Sequence, residues 1–228
     1  MCFYAFGRTI MTQLDDITDY MQKSLSADKT GHSVDHIDRV LALSNKILQD
    51  YPQADTFIVR AASLLHDVYD DKLFHSLAQA QAAKENMILF LQSISVTKHQ
   101  INAIITIIDN MSWSKSIAGN VKPLDLNGQI VQDADRLEAI GAIAITRAIT
   151  YGAVKDRILY DPNIPPRIAQ TKAQYRQDDS TTINHFYEKL LLIKDRLNTK
   201  TAQKIAVSRH QFMLAFLDQF KSEWHLTK

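Results

Sequence analysis

Apolar residues recur at three- and four-residue spacing along most of the chain, while the strict alternation of a half-buried strand is nearly absent. The pattern predicts an all-α protein. A first helix is expected over 13–25. Ser33 reads as the N-cap of a second helix running to about Asp50. On it His32, His36, Val40, Leu43 and Ile47 share one face, with Arg39 at its edge. That stripe begins polar and ends apolar, as in a core helix that opens at one end into a site. The next helix is expected from Pro52 to about Val68, with Phe57, Ala61, Leu64, Leu65 and Val68 as its stripe and the pair His66-Asp67 near its end. Helices over 75–93 and 98–109 follow, then a loop from Met111 to Asn120. A long helix is expected from a cap at Asn127 through Ile149, its Gly141, Ala142, Ala144 and Ala148 allowing close approach of another helix. Asp161 to Asp179 reads as a Pro-containing linker or lid, and helices over 181–197 and 201–224 complete the pattern.

Only six glycines and five prolines punctuate the 228 residues, which favours long helices. No second independent core is evident. One domain over 13–228 is expected, with an extension at 1–12 and a possible helical subregion at 180–228; Met1 and Met11 are both available as starts. A net charge of +1 argues against a nucleic-acid polymer or a membrane surface as partner. The single cysteine, Cys2, excludes a disulfide framework and fits a reducing cytoplasm. A monomer or homodimer is expected.

The chemistry concentrates in three places. His36 lies thirty residues before the pair His66-Asp67, and Asp133-Ala134-Asp135 lies about twice as far beyond it. A divalent ion needs N and O donors that are distant in sequence and close in space, and three separate helices supply them. In the first turn of its helix, His36 is expected to stay neutral because the helix dipole disfavours imidazolium. Asp133 and Asp135 are about 200° apart on a helix, so only one can face the ion. The flank of Asp135 carries Glu138, Ala142 and Thr146, residues suited to a site; that of Asp133 carries Leu137, Ile140 and Ala144.

With these residues in place the chain resembles the HD-domain superfamily of metal-dependent phosphohydrolases, whose spaced H…HD…D pattern it matches. Three stretches are similar to one bacterial branch of small HD proteins: His36-Ile37-Asp38-Arg39-Val40, Asp133 through Ala142, and His185-Phe186-Tyr187-Glu188-Lys189-Leu190. The resemblance spans about Thr30 to Phe220. Ser33 stands where that branch is expected to carry Asp. The resemblance implies an all-α HD-type bundle with additional C-terminal helices. It also places the final ligand at the aspartate followed directly by Arg136, giving the set His36, His66, Asp67 and Asp135.

Two imidazoles and two carboxylates balance a divalent charge and leave about two octahedral positions open. Mn²⁺, Mg²⁺, Fe²⁺, Co²⁺ or Ni²⁺ suits such a set better than a structural zinc site would. Only His75 and His99 lie between the dyad and the last aspartate, so one ion is expected rather than two. The ion would polarise a phosphoryl oxygen and acidify water, with Asp67 orienting or deprotonating that water. Cationic or polar contacts to a phosphate are sought among His32, Arg39, Lys72, Lys115, Arg136, His185 and Lys189, with Lys72 and Arg136 ranked first for their nearness along the chain to ligands. The resemblance implies a hydrolase acting on a phosphate ester or anhydride of a small molecule, with a nucleotide as the leading class. The alternative is a metal- and nucleotide-binding regulatory module without turnover.

Overall fold

The computed structural model describes residues 12–26, 34–74, 76–117, 119, 121–167 and 180–227; the side chains of Lys72 and Ile117 are not part of that description. Among the described residues there are helices and turns but no strand. The elements are α1 (Gln13–Leu25), α2 (Val34–Leu48), α3 (Thr56–Leu65), α4 (Leu77–Ser93), α5 (Lys98–Asn110), α6 (Trp113–Ile117), α7 (Leu126–Glu138), α8 (Ala142–Val154), α9 (Asn184–Glu188) and α10 (Lys200–Trp224).

Short polar caps set most starts. Thr12 with Asp15, and Thr97 with Gln100, form reciprocal capping boxes on α1 and α5. The organising element is α3, in which Ile58, Val59 and Ala61 through Leu65 are all buried. It packs on α1, α2, α5 and α7, and α7 packs in turn on α2. Between α2 and α3 the hydroxyls of Ser44 and Ser63 meet at 2.7 Å in the core, and Ser63 Oγ donates to the Val59 carbonyl. Two hydroxyls that satisfy each other are tolerated in an apolar interior, and their small volume lets α2 and α3 approach closely.

Four sequence expectations need correcting. Helix α3 starts at Thr56 rather than Pro52, because Tyr51 to Ala54 forms a turn and the Asp55 carboxylate accepts from Ile58 N at 3.0 Å. It ends at Leu65, with His66 as its C-cap and Asp67 in the turn beyond. The stretch expected as a loop after Met111 contains the short helix α6. The long helix expected over 127–149 is two helices meeting at 70°. Asp125, not Asn127, caps the first, and Gly141 separates them with φ +96°. A left-handed backbone suits glycine, and the missing Cβ also leaves room for the Arg209 side chain, 3.0 Å from where it would be. The segment 181–197 keeps the helical spacing of buried Ile183, Phe186, Leu190, Ile193 and Leu197. Its backbone nevertheless turns off the helix at Lys189 (φ −142°) and continues as single 3₁₀ turns.

Close approach at α8 occurs at Gly152, where a Cβ would lie 2.2 Å from Thr182 Oγ1. Thr182 is buried and its N–H donates to the Ile158 carbonyl, so it has little freedom to retreat. Gly152→Ala is therefore expected to destabilise the protein by about 1–3 kcal/mol through overpacking. Adding Thr182→Ala should recover part of the loss. A melting curve of Gly152→Ala that overlays the wild type would remove this contact from the fold.

Candidate metal centre

Three helices deliver the central group. His36 comes from the first turn of α2, His66 and Asp67 from the end of α3, and Asp135 from the last turns of α7. His66 Nδ1 lies 2.8 Å from the Ser63 carbonyl, so Nδ1 carries the proton and Nε2 presents its lone pair. That Nε2 is buried and has no hydrogen-bond partner. It faces carboxylates instead: Asp67 Oδ2 at 3.5 Å and Asp135 Oδ1 at 3.8 Å. His36 Nε2 faces the same two oxygens, at 3.7 Å and 3.4 Å. Donor atoms of His36, His66 and Asp67 all lie within 4.8 Å of one another. Bonds of about 2.1 Å around one ion separate adjacent donors by about 3 Å, close to these spacings.

His36, His66 and Asp67 are buried, whereas the Asp135 side chain is 36% exposed, so the group opens on the Asp135 side. Asp133, two residues earlier, faces elsewhere. It is fully buried and accepts from Asn198 N, Asn198 Nδ2, Thr199 N and Thr199 Oγ1 at 2.6–3.0 Å. It thereby anchors the start of α10, whose N-cap is Thr199.

Behind His36 lies Glu138, one turn beyond Asp135 and 2% exposed. Its Oε2 is 3.5 Å from His36 Nδ1, 2.8 Å from Arg39 Nε and 3.6 Å from Arg147 Nη1. Arg147 Nη1 also lies 3.1 Å from His36 Nδ1. Burial acts to lower the His36 pKa, but Asp135, Glu138 and Asp67 outweigh it and raise the group to about 9. These carboxylates act against the effect expected from the place of His36 at the start of α2. Desolvation opposes ionisation of Asp135, yet the His36 contact outweighs it and holds the carboxyl below the usual range.

The residues expected to bind a phosphate are dispersed. Arg39 is next to the centre, 34% exposed and held by Glu138. His32 lies outside the described residues, as does the side chain of Lys72. Arg136 does not reach the centre. One position along a helix turns the side chain by about 100°, and its guanidinium donates to the Arg196 carbonyl and lies 5.7 Å from the centre of the Trp113 ring. Lys115 donates to the Asp109 carbonyl at 2.9 Å, at the end of α5. His185 on α9 and Lys189 just past its end belong to a separate cluster. There burial first, then the charges of Lys189 and Arg157, lower the His185 pKa to about 3 and keep its imidazole neutral. Glu138 and Arg147 were missed as site residues. Glu138 was legible as a polar neighbour on the Asp135 flank, whereas nothing in the sequence distinguished Arg147.

A model of the HD domain matches residues 34–140, the stretch that holds all four central residues. The YpgQ protein of Bacillus subtilis is 33% identical over 213 residues, covering 93% of this chain and 94% of its own length. The chain belongs to the HD-domain family. A solved structure from Lactobacillus plantarum is 42% identical, with a TM-score of 0.84, and covers 95% of this chain and 100% of that one. A Bacillus thuringiensis structure described as an HD-superfamily hydrolase is 34% identical at TM-score 0.71, covering 93% and 97%. YpgQ has been crystallised in complex with ADP; that structure is 33% identical at TM-score 0.71, covering 92% and 94%. The all-α bundle is thus an HD-domain bundle with helices added beyond residue 140. Among the described residues no single helix is long and apolar enough to cross a membrane.

Proposed function

We propose that this HD-domain protein is a metal-dependent phosphohydrolase that cleaves a phosphate ester or anhydride of a nucleotide. The observation that carries the reading is the buried His66 Nε2, without a hydrogen-bond partner and facing two carboxylates that His36 Nε2 also faces. A buried nitrogen lone pair without a donor is costly, and coordination to a cation resolves the cost. His36, His66, Asp67 and Asp135 are the residues that would hold one divalent ion. Such an ion, when bound, supplies Lewis acidity toward a phosphoryl oxygen and makes a nearby water more acidic.

The chain's own groups do the rest. His66 is fixed in the ligand tautomer by the Ser63 carbonyl. Asp67 orients the attacking water and accepts its proton. Arg39, beside the centre and partly exposed, is a guanidinium available to substrate phosphate oxygens. The HD-superfamily hydrolase among the relatives and the ADP held by YpgQ both support this reading.

The test is a panel of nucleotides and phosphorylated metabolites offered to chelator-treated protein with Mn²⁺, Mg²⁺, Co²⁺ or Ni²⁺ returned singly. Turnover should vanish on chelation and return with at least one ion. Turnover that survives thorough chelation overturns the reading. So does nucleotide binding without cleavage under every metal, which would make the protein a regulatory binding module.

A further inference from the structure

The two histidines of the centre are held in different ways. His66 gives its Nδ1 proton to the Ser63 carbonyl, a partner that is part of α3 itself. His36 lies in the first turn of α2 and turns its Nδ1 toward side chains from two other helices. Glu138 Oε2 of α7 is 3.5 Å from that nitrogen, and Arg147 Nη1 of α8 is 3.1 Å from it.

These neighbours ask for opposite things. A guanidinium only donates, so Arg147 suits an Nδ1 that carries a lone pair. A carboxylate only accepts, so Glu138 suits an Nδ1 that carries a proton. When His36 Nε2 gives its lone pair to a cation, the proton must sit on Nδ1, and of the two neighbours Glu138 alone can receive it.

We propose that Glu138 is the positioning residue of His36: it accepts the Nδ1 proton, fixes the ring with Nε2 toward the centre, and raises the donor strength of that nitrogen. The inference rests on the metal reading above and concerns how this chain prepares one ligand for it. Three observations carry it. Glu138 is 2% exposed, and a carboxylate so enclosed needs a structural reason to be there. Arg39 Nε at 2.8 Å and Arg147 Nη1 at 3.6 Å supply the opposite charge that an enclosed carboxylate needs. It also stands one helical turn from Asp135, so a single helix presents a carboxylate to each ring nitrogen of His36: Asp135 Oδ1 to Nε2 and Glu138 Oε2 to Nδ1. A ring gripped at both nitrogens from one rigid helix has its orientation fixed before any ion arrives. Partners of this kind typically contribute about 10–100-fold to metal affinity.

The experiment is Mn²⁺ titration followed by the electron paramagnetic resonance of the free ion, on full-length wild type, Glu138→Ala, Glu138→Gln and, as reference, His66→Ala. Glu138→Ala should weaken Mn²⁺ binding about 10–100-fold. Glu138→Gln keeps an acceptor oxygen and nearly the same volume, so it should recover part of the loss. The readout that a merely structural role would not move is the His36 ring itself. In Zn²⁺-loaded protein labelled with ¹⁵N, the wild-type Nδ1 should be protonated, and that signature should be lost or should exchange rapidly in Glu138→Ala.

Unchanged Mn²⁺ affinity and an unchanged His36 signature in a folded Glu138→Ala overturn the inference. If that variant does not fold, Glu138→Gln decides: affinity and signature both equal to wild type overturn it, and a partial loss in both supports it. Wild type that binds Mn²⁺ no better than His66→Ala overturns the metal reading itself, an outcome distinct from a bound ion indifferent to residue 138.

Discussion

Asp67→Ala is expected to lose turnover by about 10²–10⁴-fold even at saturating Mn²⁺, whereas His66→Ala should regain much of its activity when the metal concentration is raised. The two residues are adjacent and both buried, yet they stand differently toward the reaction. His66 offers one nitrogen, fixed by the Ser63 carbonyl, and has no second chemical task. Removing it would take one donor from the proposed set of four, and mass action can offset weaker binding. Asp67 supplies an oxygen near both imidazoles, and in the proposed mechanism it also orients and deprotonates water. Mass action replaces the first role and not the second. Steady-state kinetics across a Mn²⁺ series would separate the cases. Full activity of Asp67→Ala in excess Mn²⁺ would remove the carboxylate from the chemistry and leave it a ligand only.

The second large effect contrasts two aspartates on one helix. Asp135→Ala is expected to lose bound metal, measured by elemental analysis after gel filtration, while keeping its fold. Asp133→Ala is expected to unfold more readily, because its carboxylate receives two backbone N–H groups, one amide and one hydroxyl at the start of α10. Deleting a buried charged acceptor costs about 3–5 kcal/mol, and in a protein of this length about 2–4 °C of melting temperature per kcal/mol. A fall of roughly 10 °C follows. Its remaining folded fraction should still bind metal, since none of those donors belongs to the centre. The opposite pattern, with metal lost from Asp133→Ala and a large thermal shift in Asp135→Ala, would reverse the assignment of the two faces of α7.

The hydrophobic spacing made the helices legible because most of them bury one stripe against α3 or α7, and a stripe shows as a period in the sequence. Breaks were less legible. Gly141 sits among Ala139, Ile140 and Ala142, so its small neighbours concealed a 70° corner that only its positive φ reveals. In 181–197 the apolar period survives although the hydrogen bonding changes to 3₁₀ turns, which burial spacing alone does not distinguish. The central group was readable as residue types at long separations. The cations were not, since nearness along the chain is a poor guide on a helix. Arg136, next to Asp135, is turned toward Trp113, while Arg147, eleven residues beyond it, returns to His36 after the corner. Glu138 needed the helical register of α7 together with the position of His36, and only the folded chain brings those two facts together.

The grip of Asp133 on Asn198 and Thr199 bears on the order in which the protein can be made. The HD-matched stretch ends at residue 140, but the carboxylate inside its last helix takes hydrogen bonds from groups 65 and 66 residues further along. During synthesis α7 leaves the ribosome carrying a carboxylate whose partners have yet to be translated, and contacts so distant in sequence close late. The buried carboxylate of α7 is therefore fully satisfied only once the start of the last helix has formed. A chain that stops short of residue 198 would leave that carboxylate buried without these donors.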